Sequence, residues 1–228
     1  MKLIIFGPPG SGKGTYSRGL KEKIGIEKIS TGDILRAEIK SGSEIGKKFA
    51  NYVKDGKLVP DEIVNEIVRK KISEINDNFI LDGYPRTIGQ ANFLLNLTKI
   101  DAIININVHD EILVEKISAR RICSNPNCDG NYNIADIRKK IDGIEYFLPP
   151  LLPKNDMKCD KCGSDLIQRP DDKPEIIKKR IEIYYEQTKP VLEFLKTKNI
   201  PIVDVWMCKP PEQVVDEIID KLKNLNLL

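Results

Sequence analysis

The 228-residue sequence predicts an α/β fold, a parallel five-stranded sheet covered by helices on both faces. Three observations point there. Five short apolar runs, Leu3–Phe6, Lys28–Ser30, Phe79–Leu81, Ala102–Val108 and Ile202–Trp206, have the length and composition of buried strands. Helical patterns with apolar residues three and four apart fill the intervals, and such alternation gives a sheet buried on both sides. The first run also opens directly onto a glycine-rich turn, Gly7-Pro8-Pro9-Gly10-Ser11-Gly12-Lys13-Gly14-Thr15.

That turn is the first element with chemistry in it. Its glycines let several backbone N–H groups converge on one anion, and a helix from about Lys13 to Lys23 aims its positive end at the same point. Lys13 adds a full charge. Gly10, Ser11, Gly12, Lys13, Gly14 and Thr15 are therefore candidate ligands of a nucleoside triphosphate. The generic phosphate-binding loop has Ser or Thr directly after the Lys, whereas here Gly14 intervenes and the hydroxyl falls on Thr15. The alternative, a glycine-rich hairpin without chemistry, sits poorly with a strand before the motif and a helix after it.

Further along, residues 30–59 break the alternation with short helices carrying Gly32, Gly42, Gly46 and Gly56. A helix from Asp61 then buries Ile63, Val64, Ile67, Val68, Ile72 and Ile75. The strand Phe79–Leu81 delivers Asp82-Gly83-Tyr84-Pro85-Arg86 beyond its carboxyl end, where parallel sheets bind ligands. An acid there, Asp82, is expected to organise Mg²⁺ through water together with Thr15, and Arg86 can grip a phosphate with both arms. Thr87 caps a helix bearing Ala91, Leu94 and Leu95, and another runs from Glu111 through Ile112, Leu113 and Ile117. A long helix is expected from Pro174 to about Lys196. The last starts at Pro210-Pro211 and buries Val214, Val215, Ile218, Ile219 and Leu222. The expected division is core 1–29, insertion 30–59, core 60–121, insertion 122–169 and core 170–228.

The second insertion holds Cys123-x4-Cys128 and Cys159-x2-Cys162, each pair followed closely by a glycine, the layout of two knuckles pinching one tetrahedral Zn²⁺. Disulfides, another metal, a redox pair and unliganded thiols are the alternatives. Four thiolates leave no open position for water, so the ion is expected to be structural. Cys208 is too remote to join them and is placed near the sheet edge. The one histidine, His109, falls at a strand end with a turn or surface role.

Composition excludes little but directs the default. Hydrophobic content of 40%, charged content of 31% and a net charge of +3 are those of a globular chain, and give no argument for a nucleic-acid or membrane partner. No charged-then-apolar leader precedes the first strand and no run approaches a membrane span, so a cytoplasmic location is expected. A monomer is expected, although no residue pattern bears on oligomeric state.

Over nearly its full length the chain resembles the adenylate kinases. Gly7–Thr15, Ser30-Thr31-Gly32-Asp33 with Arg36, Gly56-Lys57-Leu58-Val59-Pro60-Asp61, Asp82–Arg86 with Gln90, Ala119-Arg120-Arg121, Arg169-x-Asp171-Asp172 with Arg180, and Lys209-Pro210 carry the likeness. The resemblance implies reversible phosphoryl transfer from MgATP to AMP, giving two ADP and balancing the adenine nucleotides. It implies an AMP site of Thr31, Arg36, Lys57, Leu58, Val59, Gly83, Tyr84, Pro85, Arg86, Gln90, Arg169 and Arg180. It places Arg120, Tyr132 and Lys209 with ATP, and Lys13, Arg86, Arg120, Arg169 and Arg180 at the transferred group. Residues 30–59 become the NMP-binding insertion and 122–169 a zinc-bearing lid. Two departures stand out: Lys116 replaces an Arg that packs on the ATP adenine, and the lid segment 134–157 is long, with Asp136–Lys140 expected as a solvated face. Another nucleoside monophosphate kinase, with UMP, CMP or GMP as acceptor or GTP as donor, and a nucleotide-sensing zinc-ribbon protein are the rival expectations.

Overall fold

A computed structural model describes residues 1–75, 77–126 and 128–228. Strand β1 (Lys2–Phe6) leads through the glycine-rich loop to α1 (Lys13–Ile24) and β2 (Glu27–Ser30). Helices α2 (Thr31–Ser41), α3 (Glu44–Lys54) and α4 (Asp61–Ser73) precede β3 (Phe79–Asp82), followed by α5 (Ile88–Leu97), β4 (Ala102–Asn107) and α6 (Asp110–Ser118). Short strands then follow: β5 (Arg120–Cys123), β6 (Asn131–Asn133), β7 (Ile137–Ile141), β8 (Ile144–Leu148) and β9 (Leu166–Ile167). The chain returns through α7 (Pro174–Ile183), α8 (Lys189–Lys196), β10 (Ile202–Trp206) and α9 (Pro211–Asn224).

The main sheet is parallel throughout, in the order β10-β4-β1-β3-β2. Strand parity explains why β1 is apolar at consecutive positions. Leu3 and Ile5 pack with Tyr16 and Leu20 of α1 and Val214, Ile218 and Leu222 of α9. Ile4 and Phe6 face the other way, onto Val64 and Val68 of α4, Leu94 of α5 and Val191 of α8. With β1 central, the loop after it opens at the middle of the sheet's carboxyl edge.

Boundaries follow local chemistry. Ser30, Ser43 and Thr87 cap α2, α3 and α5 by accepting N–H bonds from Asp33, Gly46 and Gln90. The expected helix over 174–196 is interrupted by a π-helical turn, Tyr184–Thr188, ahead of Pro190, which has no N–H to continue the ladder. The expected fourth strand ends at Asn107 rather than Val108.

The larger departure lies in 134–157. Strands β7 and β8 form an antiparallel hairpin with Ile137 opposite Leu148 and Ile141 opposite Ile144. Asp142 and Gly143, at φ 47° and 82°, make the turn, a left-handed pair suited to a two-residue connection. One face carries Ile137, Tyr146 and Leu148, all buried with Ile106, Val205 and Met207. The other is solvated: Arg138 lies over the Phe147 ring and Lys140 pairs with Glu145. The Phe147 N–H donates to the Cys208 carbonyl (2.8 Å), and the His109 N–H donates to the Tyr146 hydroxyl (3.1 Å). His109 thus sits in a turn, its ring also against Trp206. Half-buried Cys208 follows the edge strand β10. Among the described residues no helix is long and apolar enough to cross a membrane.

Candidate nucleotide-binding cleft

At the carboxyl edge of the sheet a cleft of about 1100 Å³ runs along the glycine-rich loop. The loop needs left-handed backbone at Gly10 and Gly12, at φ 83° and 81°. A Cβ on Gly10 would also collide with Ile117 of α6, so glycine is required there twice over. Gly12 closes the first turn of α1 by accepting from the Thr15 and Tyr16 N–H groups. Ser11 is fully buried, and its hydroxyl has no partner among the described residues.

Basic side chains from separate elements converge on this cleft: Lys13 of α1, Arg36 of α2, Arg86 after β3, Arg120 of β5, Arg169 before the 3₁₀ turn Pro170–Asp172, and Arg180 of α7. Lys13 donates to the Gly7 and Pro8 carbonyls (2.6 and 2.7 Å). Burial lowers its pKa to about 7; Asp82 opposes the shift, while Arg86, Arg180 and Arg120 add to it. Burial likewise brings Arg86 down to about 10, with Arg180 contributing, and Arg169 down to about 9, with Arg36 and Arg120 contributing. Cations so crowded and so poorly solvated favour an anion of high charge.

Carboxylates hold the arginines apart. Asp33 pairs with Arg36 (2.5 Å) and lies 3.9 Å from Arg169. Burial pushes the Asp33 carboxyl up, but Arg36, Lys28 and Arg169 outweigh it and hold the group well below the usual range. Asp172, with no exposure, receives two N–H donors from Arg120 and one from Arg180. Arg180 also pairs with Asp171 at 3.0 Å. The Arg169 Nε is buried without a hydrogen-bond partner among the described residues.

A second, smaller pocket adjoins the first. Thr31, Arg36, Lys57, Leu58, Val59, Gly83, Arg86, Gln90 and Arg180 line it. Thr31 donates its hydroxyl to the Gly83 carbonyl (2.9 Å), tying α2 to the turn after β3. Tyr84 and Pro85 line the main cleft, and the Tyr84 hydroxyl donates to Asn65. The Gln90 amide is spent on the protein: its oxygen accepts from the Arg86 N–H and its NH₂ donates to Asp61. Lys57 is half-exposed at the pocket edge. On the opposite side Lys209, paired with Glu217, shares the cleft with Lys116, Leu148, Met207 and Pro211.

The segment holding the cysteines arches over the loop. Arg18 of α1 donates to the Asp129 carbonyl (2.9 Å), Lys40 of α2 to the Ser124 carbonyl (3.0 Å), and the Asn131 amide to the Thr15 hydroxyl (3.4 Å). Helix α2 and the cysteine-bearing segment therefore meet across the cleft. The Cys123, Cys128, Cys159 and Cys162 sulfurs all lie within 4.8 Å of one another. Thiolates about 2.3 Å from a tetrahedral ion stand just under 4 Å apart, so this donor set suits one zinc. The Tyr132 ring lines the cleft while its hydroxyl accepts from the Asp160 N–H and approaches Cys159. Sequence reasoning missed Lys28 and Asn131, which the structure also brings to the cleft. Asn131 follows a knuckle glycine, the one signal that could have marked it.

The adenylate kinase family model matches residues 5–200. The chain belongs to the adenylate kinase family. It is 42% identical to an adenylate kinase of Petrotoga mobilis, with 99% of each chain covered. It is 41% identical to one from Archaeoglobus fulgidus, covering 98% of this chain and all of the relative. An adenylate kinase of Pyrococcus horikoshii is 44% identical over 88% of this chain and 86% of its own. In this family setting the basic cleft and the cysteine-bearing arch occupy one continuous chain with the glycine-rich loop at its start.

Proposed function

We propose that this chain transfers the terminal phosphoryl group of MgATP to AMP, reversibly, giving two ADP. The observation that carries it is the convergence of Lys13, Arg36, Arg86, Arg120, Arg169 and Arg180 on one cleft with two lobes. A protein that only sensed ATP would have no use for Arg36 and Arg86 in the second lobe.

The loop Gly10–Thr15 takes the ATP phosphates, with Lys13 leaving the Gly7 and Pro8 carbonyls for the outer oxygens. Lys209 and Tyr132 border the donor nucleotide. Thr31, Lys57, Leu58, Val59, Gly83, Tyr84, Pro85 and Gln90 surround AMP; Gln90 acts by holding the Arg86 backbone and, once rotated from Asp61, by reaching the base. Arg36, Arg86, Arg169 and Arg180 hold the acceptor phosphate, and Arg120 joins them around the moving group. Phosphoryl transfer needs two nucleotides held in line, charge neutralised and water excluded, which is what such a cleft supplies. No general base is required, because the acceptor is already an anion.

Asp82 and Thr15 would hold Mg²⁺ through water, and the ion would neutralise phosphate charge there. The four cysteines would hold a structural Zn²⁺, with no vacancy for substrate. Residues 30–59 and 122–169 act as NMP-binding and lid insertions over the core segments 1–29, 60–121 and 170–228. We place the chain in the cytoplasm as a monomer. Coupled turnover with AMP, UMP, CMP and GMP in separate reactions tests the assignment: AMP should exceed each of the others by at least about a hundredfold in catalytic efficiency. Comparable rates with UMP would move the chain to pyrimidine acceptors.

A further inference from the structure

Lys28 belongs to none of the motifs above, yet it faces the reaction cleft. It lies on β2 opposite Ile80, two residues before Ser30, which pairs with Asp82. Strand alternation therefore puts Lys28 and Ser30 on one face, with buried Ile29 on the other. The Lys28 side chain is 17% exposed; its ammonium is 3.3 Å from Asp33 and 3.6 Å from Asp82. A Cβ on Gly14 would stand 3.6 Å from that ammonium and 3.5 Å from the Asp82 oxygen, so all three meet at the start of α1. Asp82 itself is 8% exposed.

We propose that Lys28 is a built-in counter-cation at Asp82 that sets how tightly the nucleotide complex holds its divalent ion. The proposal rests on the assignment of Asp82 and Thr15 to Mg²⁺ given above. Its separations from both carboxylates exceed the 2.7–2.9 Å or so of a tight charge-assisted bond, so the ammonium borders these groups without being clamped to either. A lysine is a compact charge on a flexible stem, able to compensate a carboxylate and to yield to another cation. In the free protein Lys28 keeps Asp82 from being an unpaired, poorly solvated charge. When a divalent ion arrives, two cations share the same carboxylate, and their repulsion weakens the metal.

Mn²⁺ binding to the protein saturated with AMP and a non-hydrolysable ATP analogue, followed by electron paramagnetic resonance, tests this. Lys28→Gln should bind Mn²⁺ about five- to tenfold more tightly, the scale of removing one partly screened unit charge near the site. Lys28→Arg should stay within about twofold of the parent because it keeps the charge. Lys28→Met, which keeps the stem, repeats the test should Lys28→Gln fold poorly. Unchanged or weaker Mn²⁺ binding in the uncharged variants, or tightening in Lys28→Arg as well, overturns the proposal. Asp82→Asn separates the two layers. If it loosens Mn²⁺ at least tenfold while Lys28 variants do nothing, only the role of Lys28 fails; if it changes nothing, the Mg²⁺ assignment fails with it.

Discussion

Arg120 and Asp172 form an ion pair that joins the two ends of the cysteine-bearing insertion: the guanidinium donates to both carboxylate oxygens, and Asp172 has no exposure to solvent. One residue stands just before 122–169 and the other just after it. The same arginine lines the cleft, so one guanidinium both ties the ends of this segment together and borders the cleft. Arg120→Ala should therefore lower turnover and also destabilise the protein by about 3 kcal/mol, the cost of leaving a buried carboxylate with one partner fewer. Chemical denaturation of the variant checks this.

Lys13 and Arg86 should behave differently. Their hydrogen bonds go to backbone carbonyls of nearby turns, not to a buried carboxylate. Lys13→Met and Arg86→Ala should each cost at least about a hundredfold in turnover, the scale of one lost electrostatic contact to the transition state. Thermal unfolding should shift little. Near-parental activity in either variant would remove that residue from the proposed site.

The lowered pKa of Lys13 gives a pH prediction with a definite sign. In the free protein Lys13 titrates near pH 7, chiefly because it is buried. A polyphosphate on the loop favours the charged form and raises that pKa towards its ordinary value. ATP binding should then take up a proton above pH 7, and affinity should fall as pH rises through that region. Calorimetry at pH 8 in buffers of different ionisation heat measures the uptake; Lys13→Met should abolish it.

The glycine-rich loop, the arginines after strand ends and the paired cysteines were legible because each rests on short-range spacing. The hairpin over 137–148 was not read, although Asp142-Gly143 sits between runs that alternate Ile137, Lys139, Ile141 and Ile144, Tyr146, Leu148. Its three basic residues, Arg138, Lys139 and Lys140, drew attention to the solvated face alone. Lys28 and the Arg120–Asp172 pair were not legible. Their meaning depends on the β2–β3 register and on a 52-residue closure, neither of which local pattern records.

Because the hairpin is packed into the main core, its loss should be felt there. Tyr146 is 2% exposed and bonds to His109. Tyr146→Ala should cost about 3–5 kcal/mol, as for other large-to-small changes in a core. A denaturation midpoint within error of the parent would show that the hairpin is not anchored as described.

The zinc assignment predicts a separable effect. Metal analysis of protein purified without chelator should give about one zinc per chain. Removing it, or changing Cys159 and Cys162 to Ser, should lower thermal stability clearly yet leave measurable phosphoryl transfer at low temperature, because binding energy there is local folding energy. Freely reactive cysteines in the folded protein, with no metal bound, would contradict a zinc site.

The most direct test of the central claim is product stoichiometry. MgATP mixed with AMP should yield two ADP for each ATP consumed, with no inorganic phosphate, and ATP without AMP should persist, if the segments that meet through Lys40 and Ser124 close over the bound nucleotides and keep water out. Release of phosphate from ATP at a comparable rate without AMP, or no AMP-dependent ADP at all, would contradict it.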